Sequence, residues 1–331
     1  MKVIRKCAAI FGVMALLTSV SACDSSSGDA SDITVGYSGY TVSNPFFAGI
    51  LKGLQNGAEE TGINLVTTNA DGDPNQQVTD VQNLVTQGVD YIAINPADGK
   101  AIGPAVKAAE QADIPVIALA DTIDADVTFT ISQDHVKAGN LAASEIANFL
   151  EDKNGKPEGK VVNIQGLSGS PAANGREKGF QQVMKENPDI DVVATADGKW
   201  DTAESETVMS TILRGNKDID AVFAANGAEA VGVSSAIDNA GLFEPVGQDG
   251  HIFVIGIDAP KPAVDNIRKG IQDAEVSQQP ISMAEEMMRL VVKMDNGENI
   301  DKFVEWPSQL LTKDNLDSKE VKEFGIWSDE V

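Results

Sequence analysis

From Ile33 onward the chain alternates short, continuous apolar runs with longer amphipathic segments, and it does so twice, either side of a Gly, Pro and charge-rich break. Apolar runs of this length, bounded by turn residues and separated by helical patterns, are strands buried on both faces of a parallel sheet. The first set is "ITVGYSG" (33–39), "INLVTTN" (63–69), "YIAIN" (91–95), "PVIAL" (115–119) and "VTFTIS" (127–132), with helices predicted over 45–61, 74–87 and 103–111. After "EDKNGKPEGK" (151–160) come strands at 161–166, 191–196, 221–226, 252–258 and 274–277, with helices over 172–186, 202–214, 229–240 and 262–269. The expected class is therefore α/β, built as two doubly wound Rossmann-like halves rather than one large sheet. An amphipathic helix over 281–296 and the run "FVEWPSQLL" (303–311) are left without a place in either set.

The first residues bear on where such a body works. Lys2, Arg5 and Lys6 precede a nearly all-apolar stretch from Ala8 to Val20, and Ser21 and Ala22 follow. That pattern reads as a secretory signal peptide over 1–22. Val20-Ser21-Ala22-Cys23 resembles the lipobox of bacterial lipoproteins, which implies lipid attachment at Cys23 and an acidic, flexible tether over 23–32. Since Cys7 leaves with the signal peptide and Cys23 would carry lipid, no disulfide is expected in the mature chain. Removing residues 1–22 takes away three cations and no anions, so the formal charge moves from −25 to −28. Nucleic acid and anionic surfaces are poor partners for that charge.

In open α/β sheets ligands bind beyond the carboxyl ends of the strands. Reading just past each strand gives Tyr40, Asn44, Phe46 and Phe47, then Asp121, Asn174, Trp200, Asn226, Asp258 and Gln278. Amides, carboxylates and aromatic rings recur in this set, and activated nucleophiles do not. A sugar ring offers C–H faces to aromatic surfaces and a rim of hydroxyls to groups that both donate and accept, so the set suits a polyhydroxy ligand.

Five pieces in order, "NPFF", "DGDPNQQVTDVQNLVTQGVDYIAINPADG", "AVFAANGAEAVG", "VIGID" and "VSQQP", make the chain resemble the type I periplasmic sugar-binding proteins, nearest the ribose-binding group. The resemblance implies two lobes joined by a three-segment hinge, with residues 33–132 plus 279–305 as the N-terminal lobe and 133–278 plus 306–331 as the C-terminal lobe. It implies Asn44 as a hydroxyl partner and Phe46 and Phe47 as one wall. Trp200 of "GKWD" would form the opposite wall, with Asn226, Asp258 and Gln278 as polar partners. The function implied is the extracytoplasmic, lipid-anchored solute-binding component of an ABC importer. It would take a neutral monosaccharide or polyol and pass it to a permease served by a separate ATPase subunit. Such a protein works as a monomer without cofactor or metal and is not an enzyme.

Two departures from the ribose pattern stand out. "LADT" puts Ala120 and Asp121 where that group carries Asp-Arg, and "PAANGREKGF" puts Asn174 at an arginine position. Arg176 is about 200° further round a helix, so it is not expected to replace that arginine. The expected pocket thus holds Asp121 and Asp258 and no cation, which disfavours acidic sugars. Tyr40 replaces a smaller residue.

Some residues also have plainer uses. Asn226 and Asp258 stand where helix caps occur, Asp121 fits a turn, and Phe46 and Phe47 could both be core. His135 and His251, the only histidines, are far apart and have no companion ligands for a metal. "GLSGSPAANG" lacks the Gly-Lys-Ser/Thr end of a phosphate loop and reads as a strand-to-helix turn. A sugar-modifying enzyme using Asp121 and Asp258 as acid and base, or the same fold binding a furanose-like signalling molecule, are the competing functions.

Overall fold

A computed structural model describes residues 33–329; the expected signal peptide, Cys23 and the expected tether lie outside the described residues. Two six-stranded sheets form, in the orders β11-β5-β4-β3-β1-β2 and β12-β10-β9-β8-β6-β7. The first contains β1 (Thr34–Gly39), β2 (Asn64–Asn69), β3 (Tyr91–Ile94), β4 (Val116–Leu119), β5 (Phe129–Ser132) and β11 (Phe303–Glu305). The second contains β6 (Gly159–Gln165), β7 (Ile190–Asp197), β8 (Ala221–Ala224), β9 (Phe253–Asp258), β10 (Ala274–Gln278) and β12 (Ser308–Thr312). All pairings are parallel except β12 with β10. Each order reverses beside its first strand, so each sheet has a switch point, at β1/β3 and at β6/β8.

The helices form where the sequence predicts, for local reasons. Helix α1 (Pro45–Thr61) starts with Pro45 at its first position and Asn44 as N-cap, and it ends at Gly62 in the left-handed region, φ 78°. Helices α2 (Pro74–Gln87) and α3 (Gly103–Gln111) complete the first α/β run, and α5 (Pro171–Glu186), α6 (Thr202–Gly215), α7 (Gly227–Asn239) and α8 (Lys261–Lys269) the second. Ser170 caps α5 through a hydrogen bond from Ala173 N, so "GLSGSPAANG" is the strand-to-helix turn expected of it.

Among the described residues two α-helices go unread in the sequence, α4 (His135–Asn154), capped by Asp134, and a short one near the C-terminus. The charged break at 151–160 is therefore the last turn of α4 and the loop into β6. The chain passes to the second sheet earlier, just after β5. Gly and Pro clusters mark where a chain turns, not which sheet it serves next. Helix α4 packs on α5, and Gly139 makes that possible, because a Cβ there would lie 2.1 Å from Arg176 O. The chain crosses back between β10 and α9 (Pro280–Asp295), which packs on α1, and a last time between β11 and β12. "FVEWPSQLL" is thus divided, one strand to each sheet. A short α10 (Lys319–Phe324) and a 3-10 turn (Trp327–Asp329) follow. Among the described residues no helix is long and apolar enough to cross a membrane.

Candidate functional site

The carboxyl ends of the two sheets face each other across a cavity lined by residues of both. Nine of the ten residues expected at the site line it: Tyr40, Asn44, Phe46, Phe47, Asp121, Trp200, Asn226, Asp258 and Gln278. Asn174 does not. It is exposed on α5, because the buried face of that helix runs through Ala172, Ala173, Arg176, Gly179 and Phe180. Arg176 is on that face, only 3% exposed, and it lines the cavity. The expectation of a pocket without a cation is thus corrected. Asn174 points outward, so the residue about 200° further round the helix, Arg176, points inward.

Arg176 does not present a bare charge. Its Nη2 donates to Asp258 Oδ1 at 2.9 Å, its Nη1 donates to Ala225 O at 2.8 Å, and Gln278 Nε2 donates to the same Asp258 oxygen at 2.6 Å. Burial pushes the Asp258 carboxyl above the usual carboxylate range, with Arg176 and Gln278 pulling the other way. Three buried atoms of cavity-lining residues have no protein partner: Arg176 Nε, a donor, and Asn95 Oδ1 and Gln278 Oε1, both acceptors. Buried polar atoms in a native core nearly always pair, so these three are candidate points of contact for a ligand, although six other buried atoms away from the cavity, such as Ser38 Oγ and Asn163 Oδ1, are also unpaired among the described residues.

Other predicted residues carry two duties. Asn44 Oδ1 accepts from Phe46 N as the cap of α1, while its Nδ2 donates across the cavity to Trp200 O at 3.0 Å. Asn226 caps α7 in a reciprocal box with Glu229, so its cap role holds together with its place at the cavity. Asp258 caps nothing; α8 has Pro260 at its cap position. Asp121 is not a simple turn residue. Its Oδ1 accepts from Thr122 N, and its Oδ2 reaches the other lobe, accepting from Ala172 N at 3.2 Å and from Ser170 Oγ at 3.4 Å. His135 Nε2 is 3.5 Å from the same carboxylate.

The aromatic groups divide between the lobes. Phe47 meets both Tyr40 and Phe46 edge to face, with ring centroids 5.1 and 5.5 Å apart. Phe46 belongs to the core of the first lobe as well as to the cavity wall, and Tyr40 packs against the core cluster of the second. Trp200 lies against Gly166, where a Cβ would come within 2.1 Å of the indole, and the Arg176 guanidinium is 5.4 Å from its ring centroid. Six residues without glycine's freedom take positive φ at or just past strand carboxyl ends: Asp71, Ala120, Lys199, Trp200, Asp258 and Ala259. Backbone strain concentrated beside one cavity marks a site held in shape by its surroundings. Behind Trp200, the fully buried Glu229 accepts from Trp200 N and Asn226 N, and burial holds its carboxyl well above the ordinary range.

Asn95, His135, Ser170 and Arg176 line the cavity without having been read from the sequence. Asn95 had a signal, as the first residue past β3 at the switch point. His135 went with the unread α4.

Comparison with known proteins settles the lineage. Residues 35–299 match the model of the periplasmic binding protein domain. The chain belongs to that family. This periplasmic binding protein is 32% identical over 290 residues to the ribose import binding protein RbsB of Bacillus subtilis, covering 87% of this chain and 90% of that one. Its fold is similar to that of an ABC transporter solute-binding protein from Bacillus halodurans with bound myo-inositol, with TM-score 0.79, 26% identity and coverage of 88% and 99%. It is also similar to a periplasmic solute-binding protein of Actinobacillus succinogenes with bound D-allose, with TM-score 0.76, 27% identity and coverage of 85% and 98%. The type I architecture of two α/β lobes agrees with these neighbours.

Proposed function

We propose that this protein is the extracytoplasmic solute-binding component of an ABC sugar importer. It closes on one neutral monosaccharide or polyol between its lobes and presents the closed form to a membrane permease. The observation that carries the reading is the set of unpartnered buried atoms, one donor and two acceptors, on cavity residues set among Tyr40, Phe47 and Trp200. Hydroxyl groups satisfy both kinds of atom, and rings cover C–H faces. A neutral ligand fits because Arg176 is already balanced by Asp258, not because a cation is missing.

Asp121 and Asp258 are each engaged by protein groups, which supports binding without bond cleavage in the sugar. ATP hydrolysis then belongs to a separate subunit. Lipid on Cys23 would hold the body at the outer face of the cell membrane. Mass spectrometry of the membrane-extracted protein tests that part, with an N-terminal diacylated cysteine expected and an unmodified Cys23 refuting it.

A thermal-shift screen over pentoses, hexoses and polyols, with their phosphorylated forms alongside, tests the ligand class. A bound ligand raises the melting temperature by mass action, by about 2.7 kcal/mol of stability at a hundred times its Kd. A neutral sugar should do so and its phosphate ester should not. Stabilisation by the ester alone would refute the reading.

A further inference from the structure

The family match ends at residue 299, yet the chain beyond it returns to the hinge. Trp327 is 1% exposed. Its indole Nε1 donates to Asp258 O at 2.7 Å, in the second lobe. The same ring packs against Gly49 of α1 in the first lobe, where an added Cβ would lie 3.2 Å from it. Gln279, in the crossing between β10 and α9, donates from Nε2 to Phe324 O at 2.8 Å and to Gly325 O at 2.6 Å. Its own carbonyl accepts from Trp306 Nε1 at 3.2 Å, in the last crossing. Arg268 holds the outer end through Asp329 at 2.7 Å.

One peptide group links this segment to the cavity. The carbonyl of Asp258 and the N–H of Ala259 belong to the same peptide plane. Trp327 holds the carbonyl, and the buried Glu275 carboxylate accepts from the N–H at 2.9 Å. The residues on either side, Asp258 at φ 110° and Ala259 at φ 58°, are in a region that side chains other than glycine avoid. Turning that peptide changes ψ of Asp258 and φ of Ala259, so it would let Ala259 leave the left-handed region. Trp327 and Glu275 hold the peptide against that turn, and with it the backbone from which the Asp258 carboxyl meets Arg176 and Gln278.

We propose that residues 319–329 form a strap across the hinge, and that Trp327 is a positioning residue. It fixes the 258–259 peptide, and with it Asp258, while its contact with α1 ties that geometry to the angle between the lobes. The functional part of this inference rests on the cavity being the sugar site; the clamp on the peptide does not.

The test is Trp327→Phe, which keeps an aromatic ring and removes the donor, with Gln279→Ala as a second variant that releases the strap from the crossing. A buried carbonyl left without its partner should raise hydrogen exchange in peptides covering 256–261 by about tenfold. Exchange in β1 and β3 should stay at the wild-type rate. Affinity for D-ribose, D-allose and myo-inositol, measured by calorimetry, should fall about fivefold or more for whichever of them the wild type binds. Gln279→Ala should give the same local rise, and it decides the matter if Trp327→Phe does not fold. No rise at 256–261 in either variant, or a rise spread evenly over both lobes, would overturn the strap. A wild type that binds none of the three ligands would count against the sugar reading while exchange still tests the clamp.

Discussion

Replacing Asp121 with Ala separates closure from ligand contact. Its carboxylate accepts from Ala172 N at 3.2 Å and from Ser170 Oγ at 3.4 Å, both at the start of α5 in the other lobe, so these bonds form only with the lobes together. The backbone bond to an ionised acceptor contributes about 1 kcal/mol at that length, the hydroxyl contact little, and a carboxylate at a helix N-terminus roughly another 0.5–1 kcal/mol. A total near 2 kcal/mol moves the open–closed equilibrium about 30-fold toward open. Apparent affinity scales with the fraction of competent protein, so every ligand should weaken by the same factor, up to about 30. Asp121→Asn keeps an acceptor without the charge and should lose about half of that free energy. Calorimetry with two chemically different ligands reads the factor, and small-angle scattering should show the unliganded variant to be more extended than the wild type. A loss differing by more than about threefold between the two ligands would assign Asp121 to ligand recognition instead. No loss with either would remove it from closure.

Trp200→Ala and Phe47→Ala should each weaken sugar binding by about tenfold or more through lost ring contact, with the fold intact by circular dichroism; unchanged affinity would refute the wall assignment. Arg176→Ala strands Asp258 in a buried site, so it should cost about 3–5 kcal/mol of stability in denaturant titration as well as abolishing binding, and a variant of wild-type stability would refute the pairing. His251 gives a pH signature: burial alone would lower its pKa, but the Asp273 carboxylate 2.9 Å from its Nε2 outweighs that and raises it. Because the folded pKa exceeds the unfolded value near 6.5, the stabilisation is complete below about pH 6.5 and fades as pH rises through the folded pKa. Unfolding of the wild type minus that of His251→Asn should show this slope, and a flat difference would refute it.

Sequence determined the class and most of the elements, because the cues are local. Buried parallel strands are written as apolar runs, and α1 and α2 begin at an Asn-Pro and an Asp-Pro pair whose cap and first-turn chemistry is fixed within a few residues. The strand-end rule then brought nine of the ten candidate residues to one cavity, since topology alone puts those positions at one edge of each sheet. Helix α4, unread in the sequence and overlapping the charged break at 151–160 only in its last turn, shows the limit of turn signals: they locate reversals but not the sheet a chain joins next. Only the tertiary structure decided that Arg176 and not Asn174 faces the cavity, because the face of α5 that is buried depends on how α4 packs against it. It alone decided that Asp121 reaches the opposite lobe and that Trp327, more than sixty residues on, closes over the peptide after Asp258. Such contacts join residues far apart in the chain, and no local pattern encodes which distant group will complete a buried hydrogen bond.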